Sequence, residues 1–196
     1  KQSYSFVLKS IKKDLTLKPK LSDLKDKTFL VSGATRGIGF SISKLLAKKG
    51  ANVCMIGKTV EEHKKLENTI FTAQEQIMES TQNPNILGLK CDIRDYSEIK
   101  NAVEETKKKF SGIDGVVLNA SALCLNNTLN STKKEIDLMT DVNIKGTYLM
   151  GKESLKYIKD SSHPHVLVIS PPLNMLNNKD WWIHHMYYSM SKFNMS

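Results

Sequence analysis

A tyrosine and a lysine stand four residues apart in Tyr188-Ser-Met-Ser-Lys192. On a helix that spacing puts both side chains on one face. An ammonium beside a phenol favours the phenolate and pulls the phenol pKa down from about 10. A phenol tuned in this way donates a proton to a carbonyl oxygen near neutral pH and takes it back in the reverse reaction. Tyr187 lacks a lysine at that spacing. Taken alone, such a pair is ordinary surface decoration, and it becomes chemistry only where another part of the chain brings a reactant to it.

The stretch Thr28-Phe-Leu-Val-Ser-Gly-Ala-Thr-Arg-Gly-Ile-Gly39 supplies that part. Phe29, Leu30 and Val31 form a continuous apolar run, as expected for a parallel strand covered on both faces. Gly33, Gly37 and Gly39 follow, and then a helix to about Lys49 that is expected to bury Ile38, Ile42, Leu45 and Leu46. Gly50 stands where a glycine commonly ends a helix. Glycines let a backbone turn tightly and approach a pyrophosphate, and a helix N-terminus offers unpaired N–H groups to its charge.

The chain then alternates. Strands are expected over Asn52–Ile56, Ile86–Cys91, Val116–Asn119 and Val166–Ile169. Helices are expected over Glu67–Glu79, with Ile70, Phe71, Ile77 and Met78 inward, over Tyr96–Phe110 with Ser97 near its cap, over Lys133–Asp141 and Asn143–Ile158, and near Tyr187. Strands separated by helices imply right-handed crossovers and a parallel sheet between two helical layers, a doubly wound Rossmann-type α/β fold. In the strand order 3-2-1-4-5-6 of such sheets, five strands leave the fifth as an edge.

The pattern Ser32-Gly33-Ala34-Thr35-Arg36-Gly37-Ile38-Gly39 resembles the fingerprint of the short-chain dehydrogenase/reductase family. The resemblance covers residues 27–195 and gives the glycine turn, including Thr35, Arg36 and Ile38, the role of a nicotinamide dinucleotide site. It also implies catalytic roles for Tyr188 and Lys192, with Lys192 holding the nicotinamide ribose. Asn143, in Asp141-Val-Asn-Ile-Lys-Gly146, matches the active-site Asn of the family. Asn119-Ala-Ser121 resembles the family's Asn-Asn-Ala-Gly motif, with Leu118 in place of the first Asn and Ser121 in place of the Gly. Asn119 is thereby expected to tie the central sheet together and border the cofactor. Asp92 sits where the family contacts the adenine. The carbonyl-polarising Ser of the family falls at Ile169-Ser170-Pro171-Pro172-Leu173-Asn174, where Pro171 takes the usual slot; Ser170 is the candidate and Asn174 the alternative.

The end of the second strand selects the cofactor, because an acid there accepts hydrogen bonds from the ribose 2′-hydroxyl. Here Gly57 holds that position, Lys58 follows, and Arg36 lies in the turn. Two cations and no acid favour a 2′-phosphate and hence NADP(H).

The chain has 196 residues, 40% of them hydrophobic, which suits one domain with a sizeable core. Residues 1–26 are expected as an N-terminal extension, either a targeting segment or a surface extension, and residues 27–196 as the nucleotide-binding and catalytic domain. The net charge of +9 suits an anionic ligand, but no nucleic-acid module is visible and most lysines fall on helix faces. Cys54, Cys91 and Cys124 are widely spaced without Cys-x-x-Cys, and Cys54 and Cys91 fall in apolar strand contexts, where buried reduced thiols are expected. No apolar run is long enough to span a membrane. Because the chain starts at Lys1 and stops at Ser196 inside a helix, it reads as a fragment. Further segments, Ser170-Pro-Pro-Leu-Asn174 and Leu138-Met139 through Leu149 among them, resemble a subgroup of the family. That resemblance implies a lipid-like carbonyl substrate, a peroxisomal or mitochondrial location (the cytoplasm being the alternative), a homo-oligomer when complete and a sterol-carrier-like domain beyond this chain. The rival readings are a nucleotide-binding regulator without turnover and a reductase of acyl thioesters.

Overall fold

The computed structural model describes residues 23–62, 64, 67–171 and 179–195, so the expectations for residues 1–22 and for Asn174 lie outside the described residues. Strand β1 (Thr28–Ser32) lies at the centre of a parallel sheet, between β2 (Asn52–Gly57) and β4 (Gly115–Leu118); β3 (Ile86–Lys90) and β5 (His165–Val168) flank them, giving the order β3-β2-β1-β4-β5. That is the order expected for this part of a doubly wound sheet.

Helices cover both faces because alternate strand residues point to opposite sides. Leu30, Cys54, Ile56, Val116 and Leu118 face one side. They pack there on Ile99, Ala102 and Val103 of α3 (Tyr96–Phe110) and on Met150 and Ile158 of α5 (Thr147–Ile158). Val31, Val53, Met55 and Val117 face the other side, against Ala47 of α1 (Gly37–Lys48) and Ile70, Ala73 and Ile77 of α2 (Ile70–Thr81).

The helix expected over Tyr96–Phe110 spans those residues, while other helix ends, caps and faces differ from the sequence expectation. Helix α2 begins at Ile70 rather than Glu67, because Thr69 and Thr72 form a reciprocal capping box. Phe71 then points outward, 47% exposed, not inward. Helix α3 is capped by Asp95, whose carboxylate accepts from the Ser97 amide at 2.7 Å, and not by Ser97. In α1, Ile38 and Leu45 are exposed, and the buried residues are Gly39, Ser43 and Ala47. The expected break near Val142 is instead a change of helical type: α4 (Lys133–Met139) runs through a π-helical turn, Thr140–Gly146, into α5. Beyond β5 lie α6 (Lys179–His184) and α7 (Met186–Phe193).

Asp114 joins the amino edge of the sheet. Its carboxylate accepts from the Thr28 amide at 2.8 Å and the Ser161 hydroxyl at 2.6 Å, and pairs with Lys27 at 3.4 Å. Burial opposes its ionisation, but the bonds from Ser161, Thr28 and Lys27 outweigh burial and hold the carboxyl below its usual range. A depressed carboxyl contributes stability above its unfolded pKa of about 3.9 and loses it as pH falls through the lower folded value. Asp114→Asn is therefore expected to destabilise the fold by about 1–2 kcal/mol at neutral pH, the low end for charge-assisted bonds because the site is partly solvated. Urea unfolding at a series of pH values checks this: the gap from wild type should close as the pH is taken below the folded pKa.

Candidate active site

The carboxyl ends of the strands open into a cleft of about 880 Å³. One wall is the turn between β1 and α1, and the turn is bolted to β4 by side chains. The Ser32 hydroxyl donates to the Val117 carbonyl at 3.2 Å and accepts from the Asn119 and Ala120 amides at 3.0 and 3.1 Å. The Asn119 side-chain amide donates to the carbonyls of Ser32 and Gly33 at 3.0 and 3.1 Å. Asn119 therefore ties the central sheet as expected, and it also lines the cleft.

The glycines of the turn do different things. A Cβ on Gly33, whose φ is +65°, would lie 2.8 Å from the Ala120 Cα, and one on Gly39 would lie 2.4 Å from the Gly33 carbonyl oxygen. Both are needed for the turn to touch β4 and its own helix. Gly37 has φ +58° and would meet no described atom within 4 Å. It leaves its backbone open to the cleft at the start of α1, where helix N–H groups lack intrahelical partners.

Thr35, Arg36, Ile38, Gly57, Lys58 and Asp92 line the same cleft. Arg36 flanks the first turn of α1 in an extended conformation. Its Nη1 is buried and has no hydrogen-bond partner among the described residues. Asp92 is engaged by Arg94, whose Nε donates to the two carboxylate oxygens at 2.9 and 3.0 Å. This side-chain bond is the main reason that the Asp92 carboxyl sits below its usual range. Cys54 and Cys91 are free, buried thiols, both pushed up to about 12 by desolvation. Their burial is as expected, and it disfavours the thiolate forms. Among the described residues no His, Cys, Asp or Glu group can hold a metal ion.

The opposite wall is α7, with Tyr188, Ser189 and Lys192 on the cleft. The Lys192 ammonium donates to the Ile169 carbonyl at 2.7 Å and so ties α7 to the end of β5. Ser170 and Pro171 follow on the same rim. The tuning expected for Tyr188 runs the other way: burial pushes its phenol up, and burial lowers the Lys192 ammonium. Desolvation disfavours the charged form of each.

Asn143 does not line the cleft. It is wholly buried in the π-helical turn, and its side chain is saturated. Nδ2 donates to the Ala122 carbonyl at 3.0 Å and the Ser191 hydroxyl at 2.9 Å, while Oδ1 accepts from the Ala122 amide at 2.7 Å and the Ser121 hydroxyl at 3.0 Å. Ser191 in turn donates to the Tyr188 carbonyl at 2.8 Å. One turn earlier, the Tyr187 hydroxyl meets that of Thr140 at 2.5 Å. Sequence reasoning passed over Ser32, Thr140, Tyr187 and Ser191. The available signal was the spacing of Tyr187 and Ser191, four apart and one residue out of phase with Tyr188 and Lys192.

The family model for short chain dehydrogenases matches residues 27–196. The chain belongs to the short-chain dehydrogenase family. It is 44% identical over 178 residues to hydroxysteroid dehydrogenase-like protein 2 of Homo sapiens, covering 91% of this chain and 42% of that protein. The protein of that name from Bos taurus is 43% identical over the same shares. A solved short chain dehydrogenase from Mycobacterium thermoresistibile superposes with a TM-score of 0.80 at 37% identity, covering 88% of this chain and 60% of that one. The chain thus spans less than half the length of the curated relatives it matches. The family is one of nicotinamide-dependent oxidoreductases.

Replacing Asn143 by Ala would remove the acceptor of the half-buried Ala122 amide and the donors to the Ala122 carbonyl and the buried Ser191 hydroxyl, and leave a gap in the buried turn. Unsatisfied buried groups cost about 1–3 kcal/mol each, partly relieved by relaxation. Asn143→Ala should therefore lower unfolding free energy by roughly 2–4 kcal/mol, and Ser191→Ala by less, since it strands only one Asn143 hydrogen. Chemical denaturation of both variants checks the order.

Proposed function

We propose that this chain is the nucleotide-binding and catalytic part of an NADP(H)-dependent oxidoreductase that interconverts a carbonyl and an alcohol on a lipid-like substrate. The observation that carries the cofactor choice is the buried, unpartnered Arg36 Nη1. A buried guanidinium nitrogen without an acceptor is costly unless an anion completes it. Lys58 stands on the same cleft, and the position that would carry a competing acid is Gly57. These residues fit a 2′-phosphate.

In this reading the amides that start α1, at Gly37, Ile38 and Gly39, bind the pyrophosphate. Arg36 and Lys58 bind the 2′-phosphate and Asp92 borders the adenine. Thr35 and Asn119 shape the turn. The cofactor supplies the hydride. Lys192 holds the ribose, Tyr188 gives the proton to the carbonyl oxygen, and Ser170 polarises that oxygen. Asn143 acts as a positioning residue through Ser121, Ala122 and Ser191. A phenol whose pKa is raised above about 10 stays protonated through the neutral range. Carbonyl reduction should therefore hold through neutral pH and fall only as the pH climbs through the raised value.

Leu123, Leu138 and Val142 make the substrate side of the cleft apolar, which suits a lipid-like carbonyl, as does the hydroxysteroid in the names of the curated relatives. A peroxisomal or mitochondrial place and a homo-oligomeric full-length protein belong to the same proposal. Pro171 beside Ser170 favours one rival, a nucleotide-binding regulator without turnover.

Fluorescence titration of the full-length protein should show NADPH bound more tightly than NADH, and Lys58→Asp should reverse the order; equal affinities in the wild type would sink the charge argument. Tyr188→Phe should slow reduction across a carbonyl panel by about 10²–10⁴ with NADPH binding largely intact. Wild-type binding without turnover on that panel would favour the regulator.

A further inference from the structure

Gly57 ends β2 and is buried beneath the turn that carries the nucleotide-site residues. A Cβ built on Gly57 would sit 2.7 Å from the Thr35 Cγ2 and 3.5 Å from the Ile70 Cδ1. The first distance is shorter than real Cβ contacts allow, so any side chain at position 57 must displace Thr35. Thr35 is poorly able to move. It is 6% exposed, and β-branched side chains are stiff at χ1. Its backbone is held on both sides: the Ala34 amide donates to the Ile56 carbonyl at 3.1 Å, and the Asn68 side chain donates to the Thr35 carbonyl at 3.3 Å. Removing the methyl would leave the Thr35 Cβ as the next atom, at 3.9 Å, an ordinary contact.

From this packing we infer that the Thr35 methyl group is a specificity-determining element of the nucleotide site: it fills the space from which a side chain at position 57 would start, and so closes the site to the carboxylate that reads an unphosphorylated ribose. The inference rests on the NADP(H) reading above and deepens it. Arg36 and Lys58 supply the attraction for a 2′-phosphate. Thr35 supplies the exclusion, acting from beneath the strand end rather than through contact with the ribose. Specificity is a difference between two affinities, and blocking the competitor's recognition group is as effective as adding contacts. The consequence is that an acid placed at position 57 alone cannot reverse the choice. The acid becomes usable only when position 35 has been made smaller.

The test is a double-mutant cycle in the full-length protein with Gly57→Asp, Thr35→Ala and their combination, titrating NADPH and NADH by fluorescence. Gly57→Asp alone should weaken NADPH by about tenfold or more without improving NADH, because the turn is pushed off its seat. The double variant should bind NADH about tenfold or more tightly than Gly57→Asp alone. A second cycle needs no nucleotide: Gly57→Ala should lower the melting temperature, and Thr35→Ala should restore a part of the loss. That cycle decides the packing claim if Gly57→Asp does not fold. Additive behaviour in both cycles, with Gly57→Asp alone binding NADH as tightly as the double variant, would overturn the role of Thr35. Equal NADPH and NADH affinity in the wild type, with the coupling between 35 and 57 intact, would instead sink the NADP(H) preference and leave the Thr35 block standing.

Discussion

The side-chain amide of Asn119 reaches across from the end of β4 to the carbonyls of Ser32 and Gly33, while the Ser32 hydroxyl reaches back to the Val117 carbonyl and the Asn119 and Ala120 amides. Strand hydrogen bonding ends at this point, and backbone groups there would be left unpaired if side chains did not take over. Satisfying them fixes the spacing between the β1 turn and the β4 end to within a van der Waals contact. Gly33 and Gly39 follow from that spacing, because a Cβ at either would collide with the neighbouring backbone. Gly37 is the exception, open to the cleft. The three-glycine pattern therefore combines two packing requirements with one open backbone position.

The second wall obeys a comparable logic. Helix α7 carries two side-chain pairs spaced four apart and one residue out of phase. Tyr187 and Ser191 bond to Thr140 and Asn143 of the π-helical turn, and Tyr188 and Lys192 line the cleft. Since a helix turns by about 100° per residue, fixing the first pair fixes the direction of the second. Asn143 extends the link to the Ser121–Ala122 loop that leaves β4. Both walls of the cleft are thus referred to the same strand end, one through Asn119 and the other through Asn143.

Much of this was legible in the sequence, for identifiable reasons. The apolar runs at Leu30–Val31 and Val53–Ile56 belong to strands buried on both faces, and the sheet order follows from the alternation with helices. What the sequence hid depended on contacts between distant segments. The start of α2 was misplaced because Thr69 and Thr72 cap each other with a pair of threonines rather than the commoner Thr and Glu. Hydrophobicity alone points Phe71 and Leu45 inward, yet large apolar residues are common on surfaces, and both are exposed here. The π-helical turn leaves no mark in hydrophobic spacing. The collision of position 57 with Thr35 joins residues from two separate strand ends, and nothing local to either records it.

The Tyr188–Lys192 pair shows why residue spacing does not by itself give a pKa. Helical spacing correctly placed both groups on the cleft, and an ammonium near a phenol does favour the phenolate. Yet burial penalises the charged form of each group. The cost of dehydrating a charge grows steeply as the surroundings lose water, and here Lys192 is 8% exposed. Its ammonium is already stabilised by the Ile169 carbonyl, whose partial negative charge faces it at 2.7 Å. That bond turns one of its hydrogens toward the end of β5. Burial thus sets the direction for both groups, raising the phenol and lowering the ammonium. The cation that was expected to tune the tyrosine serves first as a strut between α7 and β5, and it is this strut that holds Ser170 and Tyr188 on the same cleft.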